Sequence, residues 1–295
     1  MKTNYHTHTT WCDGKDTPEA VVAAAIEKGF GAIGFSSHAM LPEDDTPWVL
    51  TPAKAPRYAA EIRALAEKYA GRIRVLCGVE ADYVPGGATP DRGAYAAVAP
   101  DYIIGSVHFV VAPDGARVSV DESPASLADG IRVHFGGSAE AYVRAYFAQV
   151  REMLLTCDFD VAGHLDLVRK FNVRHPYFDE AAPWYLAELD LTADAVAAGG
   201  KIAEVNTGAI SRGWLDDAYP SAASAASAAK PMPICVICIF MGAPWHDAFM
   251  LCSSADILYH KAATISQRSQ TLPASTSPRR SRRQCPSTRL RGNAR

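Results

Sequence analysis

Asn4-Tyr5-His6-Thr7-His8-Thr9-Thr10-Trp11-Cys12-Asp13-Gly14 places two histidines one residue apart and follows them with a carboxylate before a glycine. In an extended strand, side chains at i and i+2 leave the same face, so His6 and His8 emerge side by side. A lone His-x-His is as easily an incidental dipeptide as half of a metal site, and the decision lies downstream.

Working outward, Thr17-Pro18-Glu19 reads as a helix start, with Thr17 as N-cap and Pro18 in the first turn, and Gly29 closes the helix over 20–28. Gly31-Ala-Ile-Gly-Phe-Ser-Ser-His38 is a buried strand that ends in histidine. Tyr58, Ile62, Leu65 and Tyr69 have helical spacing within 56–70, and Ile73-Arg-Val-Leu-Cys-Gly-Val-Glu80 is a strand that ends in a carboxylate. Tyr102 to His108, Phe159 to Asp166 (through His164) and Ile202 to Asn206 continue the series, with helices expected over 138–155 and 180–198 and a long polar loop after His108. Strands alternating with helices specify βα units on a parallel sheet, and six in series favour a closed or nearly closed barrel.

In such a barrel the chemistry collects at the C-terminal ends of the strands. His6, His8, His38, Glu80, His108 and His164 all fall there. So many polar groups at one pole would be costly without a shared partner, which points to a metal cluster. Imidazoles with carboxylates suit Zn, Mn or Fe. The donors exceed the needs of one tetrahedral ion, so two to three divalent ions are expected, with Glu80 as a bridge. The chemistry derived from such a centre is phosphoester hydrolysis of a small-molecule substrate.

At 295 residues, 48% apolar and 21% charged, the chain has the composition of a globular protein with a sizeable core. A net charge of −3 gives no general case for nucleic acid or an anionic membrane. No run approaches the ~20 apolar residues of a membrane span, and no signal-peptide pattern opens the chain, so a cytoplasmic enzyme is expected. The seven scattered cysteines read as reduced thiols, Cys235-x-x-Cys238 included.

A family resemblance joins these segments. His6-Thr-His8, His38, Gly78-Val-Glu80, Gly105-Ser-Val-His108 and Gly163-His164-Leu-Asp166 resemble the successive motifs of the polymerase-and-histidinol-phosphatase (PHP) superfamily. Val161 to Phe171, Glu204 to Gly213 and Tyr219-Pro220-Ser221 resemble its histidinol-phosphatase branch, and the likeness covers residues 1 to about 222. It implies an α/β fold, a distorted (β/α)7 TIM-like barrel, a trinuclear metal centre, and hydrolysis of L-histidinol phosphate to L-histidinol and phosphate in histidine biosynthesis. Residue by residue, it implies His6, His8 and Glu80 for one ion, Glu80, His108 and His164 for a second, and His38 for the third. Asp13 stands near where relatives place a further ligand, or it is a turn residue before Gly14. Asp166, two residues after His164, is placed to orient a histidine, and with Glu80 it makes the candidate pair of catalytic carboxylates. Arg212 and Arg169, just past two strand ends, are candidates for binding the substrate phosphate, or are arginines paired with neighbouring acids.

The pattern breaks after Ala222. The family's seventh strand ends in Asp-x-His; here Pro233 to Asp247 lacks it, and His246-Asp247 are adjacent, reversed and late. From Ala222 to Arg295 there are two acids against ten Lys and Arg, whereas the first 221 residues hold thirty acids and nineteen bases. The expectation is a barrel unit over 1–240, an aberrant and largely disordered basic tail over 241–295, and a reading frame that departs from the ancestral one near Ala222 to Ala229. Two other functions stay open: a PHP phosphoesterase acting on nucleotides or nucleic acid, and an impaired metal-binding relic without its last ligands.

Overall fold

Local signals at the first helix are realised. The computed structural model describes residues 2–39 and 48–221, together with the backbone of 234–237. Helix α1 (Pro18–Glu27) starts where Thr17 Oγ1 accepts the Ala20 N–H at 3.3 Å, and it ends at Gly29, whose φ of 73° only glycine adopts freely. Helices α2 (Ala55–Lys68), α3 (Pro124–His134), α4 (Ala139–Thr156), α5 (Pro183–Gly199) and the short α6 (Gly208–Ser211) follow. Ser138 caps α4 by accepting the Ala141 N–H at 3.1 Å.

The strands are β1 (Lys2–Asn4), β2 (Phe30–Ala39), β3 (Arg74–Asp82), β4 (Tyr102–Ser106), β5 (Phe109–Val111), β6 (Arg117–Ser119), β7 (Val161–Ala162), β8 (Ile202–Asn206) and β9 (Ile234–Ile237). Seven of them form one sheet in the order β1-β2-β3-β4-β7-β8-β9, every pairing parallel. The sheet curls until β9 returns within 8 Å, Cα to Cα, of β1. This is the distorted seven-stranded barrel expected.

Three details differ from the sequence reading. The polar stretch after His108 folds into the antiparallel β5–β6 hairpin and α3; its short strands and three-residue register carry too little periodicity to be legible. Ladder pairing at β7 is confined to Val161 and Ala162, so His164 lies in the turn beyond it. His6 and His8 likewise sit past the end of β1.

Alternation along the strands produces two apolar regions separated by the sheet. Ile33, Phe35, Val75, Cys77, Val79 and Ile103 face the helices. Leu76, Tyr102, Ile104 and Val161 pack inside the barrel with Tyr5 and Ile202. Tyr102 fills space that two glycines leave: a Cβ on Gly34 would lie 2.4 Å from its Oη, and one on Gly78 would lie 2.4 Å from its Cζ. Its hydroxyl donates to the Phe35 carbonyl at 3.1 Å.

Among the described residues no helix is long and apolar enough to cross a membrane. Cys238, His246, Asp247 and the whole of 241–295 lie outside the described residues, so the expected tail unit does too.

Candidate metal centre

The inward-facing stripe of β3 runs Leu76, Gly78, Glu80, Asp82, changing from apolar to acidic along one strand. Pairing of His38 on β2 directly with Glu80 brings the first imidazole to the same level. Glu80 is 1% exposed and becomes the centre of the pole. Its Oε2 has His6 Nε2 at 2.9 Å, His8 Nε2 at 3.2 Å and His38 Nδ1 at 3.2 Å. Its Oε1 has His164 Nε2 at 2.9 Å, His108 Nε2 at 3.4 Å and the Ser106 hydroxyl, which donates at 2.7 Å.

Six of the seven side chains nominated for metal therefore converge, five imidazoles on one carboxylate. The seventh, Asp13, stands at the mouth, 48% exposed, with Oδ1 3.5 Å from His8 Nδ1 and 3.8 Å from His38 Nε2. Three groups have donor atoms within 4.8 Å of one another: His6, Glu80 and His164; His38, Glu80 and His108; and His8, Asp13 and His38. That spread matches ligands about 2.0–2.2 Å from a shared ion. Glu80 belongs to two groups and His38 to two, so the set is joined rather than scattered. Glu80 Oε2 and His38 Nδ1 are buried and make no well-directed hydrogen bond, although nitrogens and oxygen lie within 3.2 Å. Atoms that crowd without bonding fit donors aimed at a common cation.

Two buried carboxylates that the sequence reading passed over hold the imidazoles from behind. Glu204 Oε2 lies 2.8 Å from His6 Nδ1, while its Oε1 accepts the His164 backbone N–H at 2.7 Å and Asn206 Nδ2 at 2.8 Å. Asp82 Oδ1 is hydrogen-bonded to His108 Nδ1. With an acid at Nδ1 that nitrogen keeps its proton, so Nε2 is the one that would give up a proton to a cation at the pole. A signal was available at Asp82, which shares a face with Glu80 at i+2, and at Glu204, one residue pair before the strand end.

The electrostatics follow from burial and this single acid. Burial opposes a charged His6, but Glu204 and Glu80 outweigh it and raise its pKa to about 9. Burial likewise opposes charge on His108, and Asp82 with Glu80 lifts it to about 10. His38, stacked on His8 with ring centroids 4.2 Å apart, is lowered to about 3 by burial, against Glu80 and in concert with His8 and His108. Glu80 itself, despite burial, is held well below the usual carboxylate range by His6, His38 and His108. Protons thus balance Glu80 in the metal-free chain, and a cation is the alternative counter-charge.

The remaining nominated residues separate. Arg212, exposed at the end of α6, lines the pocket over Glu80. Arg169 does not line it: the guanidinium is 4% exposed and bonded to Glu180 at 2.5 Å, Asp217 at 2.9 Å and Asp166 at 3.4 Å. The adjacent Lys170 takes that place in the pocket, with Nζ 2.9 Å from Asp121 Oδ2. Asp166 faces Arg169 and accepts the Ser221 backbone N–H at 2.8 Å. A turn after a strand does not reveal from spacing which of two neighbouring side chains points inward, and the 3-10 turn over Leu167–Arg169 sends Arg169 down into the acids.

The PHP domain model matches residues 4–208. A relative from Deinococcus radiodurans named "Probable histidinol-phosphatase" is 32% identical over 221 residues, covering 73% of this chain and 76% of its own. The histidinol-phosphatase of Bacillus subtilis is 28% identical over 234 residues, covering 74% and 85%. The crystal structure of histidinol phosphate phosphatase from Lactococcus lactis, complexed with Zn, L-histidinol and phosphate, aligns with a TM-score of 0.54 at 19% identity over 90% of this chain and 93% of that one, a likeness of fold. Because the matched range takes in all seven nominated side chains, and the matches to the curated relatives cover most of their length, the chain belongs to the PHP domain family, in its histidinol-phosphatase branch.

Proposed function

We propose that the protein hydrolyses L-histidinol phosphate to L-histidinol and phosphate, using two to three divalent ions held by His6, His8, Asp13, His38, Glu80, His108 and His164. One observation carries this reading: five imidazoles converge on a single buried carboxylate beside a pocket that also presents cations. The relatives' substrate selects L-histidinol phosphate over nucleotide or nucleic-acid esters. When bound, such ions activate water near neutral pH and neutralise charge on the phosphoryl oxygens.

The chain's own side chains do the rest. Glu204 and Asp82 keep the Nδ1 protons of His6 and His108 in place, so that both rings stay turned toward Glu80. Arg212 and Lys170 supply positive charge to the phosphate at the pocket wall. Asp166 acts at one remove, tying Arg169 and the Ser221 backbone into the floor beneath that wall. Trp48 stands edge-on to His38 at 5.5 Å and packs against that ring. We assign the reaction to the cytoplasm, a compartment that suits the free thiols of Cys77 and Cys157.

The test is phosphate release by the purified full chain, with Zn or Mn added, from L-histidinol phosphate and from a nucleoside monophosphate in parallel. Preferential release from L-histidinol phosphate is expected; equal or reversed preference would overturn the substrate assignment. Because no Asp-x-His follows Ile237 at the expected place, the lower number, two ions per chain, is expected, and elemental analysis giving three would show that the third site is complete without it.

A further inference from the structure

Tyr219 follows β8 in the chain and is fixed by its backbone. The Asn206 N–H donates to the Tyr219 carbonyl at 2.7 Å, and the Tyr219 N–H donates to the Asn206 carbonyl at 2.9 Å, so the residue is fastened to the C-terminal end of β8. Its ring meets His164 edge to face, with centroids 6.3 Å apart. The residue is 2% exposed and lines the same pocket as Arg212 and Lys170.

The Tyr219 hydroxyl makes no hydrogen bond among the described residues. A buried hydroxyl without a partner is costly, and one that persists calls for an explanation. The other pocket-lining atoms in that condition are His38 Nδ1, His164 Nδ1 and Glu80 Oε2, and all three belong to side chains assigned above to metal. Tyr142 and Tyr185 also have unpartnered hydroxyls, but neither lines the pocket. Of these four pocket-lining side chains, Tyr219 alone is not assigned to metal. A phenol carries its proton at neutral pH and so has one to donate.

We propose that Tyr219 is a substrate-contacting residue whose Oη–H donates to a non-bridging phosphoryl oxygen, beside the positive charge of Arg212. This rests on the phosphate-ester reading above. No bond is made or broken by the tyrosine; it is a neutral donor that becomes satisfied only when the phosphoryl group arrives.

Tyr219→Phe deletes the hydroxyl and nothing else. A hydrogen bond to a charged group lost from a buried site predicts that inorganic phosphate binds about tenfold or more weakly, by calorimetry and as a product inhibitor, with kcat/KM for L-histidinol phosphate falling by a similar factor. Metal content should be unchanged and the thermal unfolding midpoint no lower, because the native partner of that hydroxyl is absent from the ligand-free chain. A variant with unaltered phosphate affinity and turnover overturns the proposal, as does one that loses metal or unfolds earlier in step with its loss of affinity. Should the wild-type chain release no phosphate from L-histidinol phosphate, the functional reading fails, while calorimetry of inorganic phosphate on wild-type and Tyr219→Phe still decides the role of the hydroxyl.

Discussion

The floor of the barrel and its pole are built from the same strands, yet they obey opposite rules. On the floor, the inward stripe supplies Leu76, Tyr102, Ile104 and Val161, which bury apolar area and account for stability. Two to six residues further along, the inward stripes supply His38, Glu80, Asp82 and Ser106, which crowd polar groups around one acid. The difference teaches that position along a strand, more than strand identity, decides whether an inward side chain serves folding or chemistry. Substitutions at the two levels should therefore fail in different measurements.

The largest effect is expected at Glu80. Glu80→Gln removes the acid common to two candidate ion groups, so activity should fall by more than the roughly 100-fold that loss of an outer partner costs, with metal lost from both groups. Elemental analysis of this variant beside His108→Ala checks the bridge; equal losses would show that Glu80 serves one ion only. On the floor, Tyr102→Ala should cost about 3–5 kcal/mol in chemical denaturation while the folded fraction keeps its metal stoichiometry. Metal loss at moderate denaturant, before unfolding, would mean that floor and pole are not separable.

Glu204→Gln sharpens the contrast, because it changes a carboxylate that is 0% exposed and touches His6 from behind. The metal affinity should fall by about 10–100-fold in competition with a chelator. An unchanged affinity would show that the His6 ring is held by packing alone. The smallest effect belongs to Thr17→Ala, remote from both levels: loss of the α1 cap should cost about 1 kcal/mol and leave kcat and metal binding as they were.

Much of this was legible before any coordinates. Alternation of βα units, together with a histidine or glutamate at five of the six strand ends, placed the pole and named its inner side chains, because strand period and barrel polarity are local rules. What stayed hidden was set by rotation about single turns. Arg169 and Lys170 are neighbours, and only the 3-10 turn decides that Lys170 faces the pocket while Arg169 is sunk among Asp166, Glu180 and Asp217. Glu204 lies 198 residues from the histidine it touches, a pairing that sheet closure creates and no spacing encodes. Tyr219 similarly gained its meaning from a buried hydroxyl with no hydrogen-bond partner among the described residues, a property of three-dimensional neighbours.

The wedge of Tyr102 between Gly34 and Gly78 has a consequence for how this sequence can drift or be redesigned. The three positions share one fixed volume, so their substitutions must be ordered. A methyl added at Gly78 first would strike the ring; a smaller side chain at position 102 first would open the space that makes the same methyl harmless or helpful. The sign of the Gly78 change thus depends on what already stands at 102, and a library that varies one position at a time would discard alanine at 78 while a paired library would retain it.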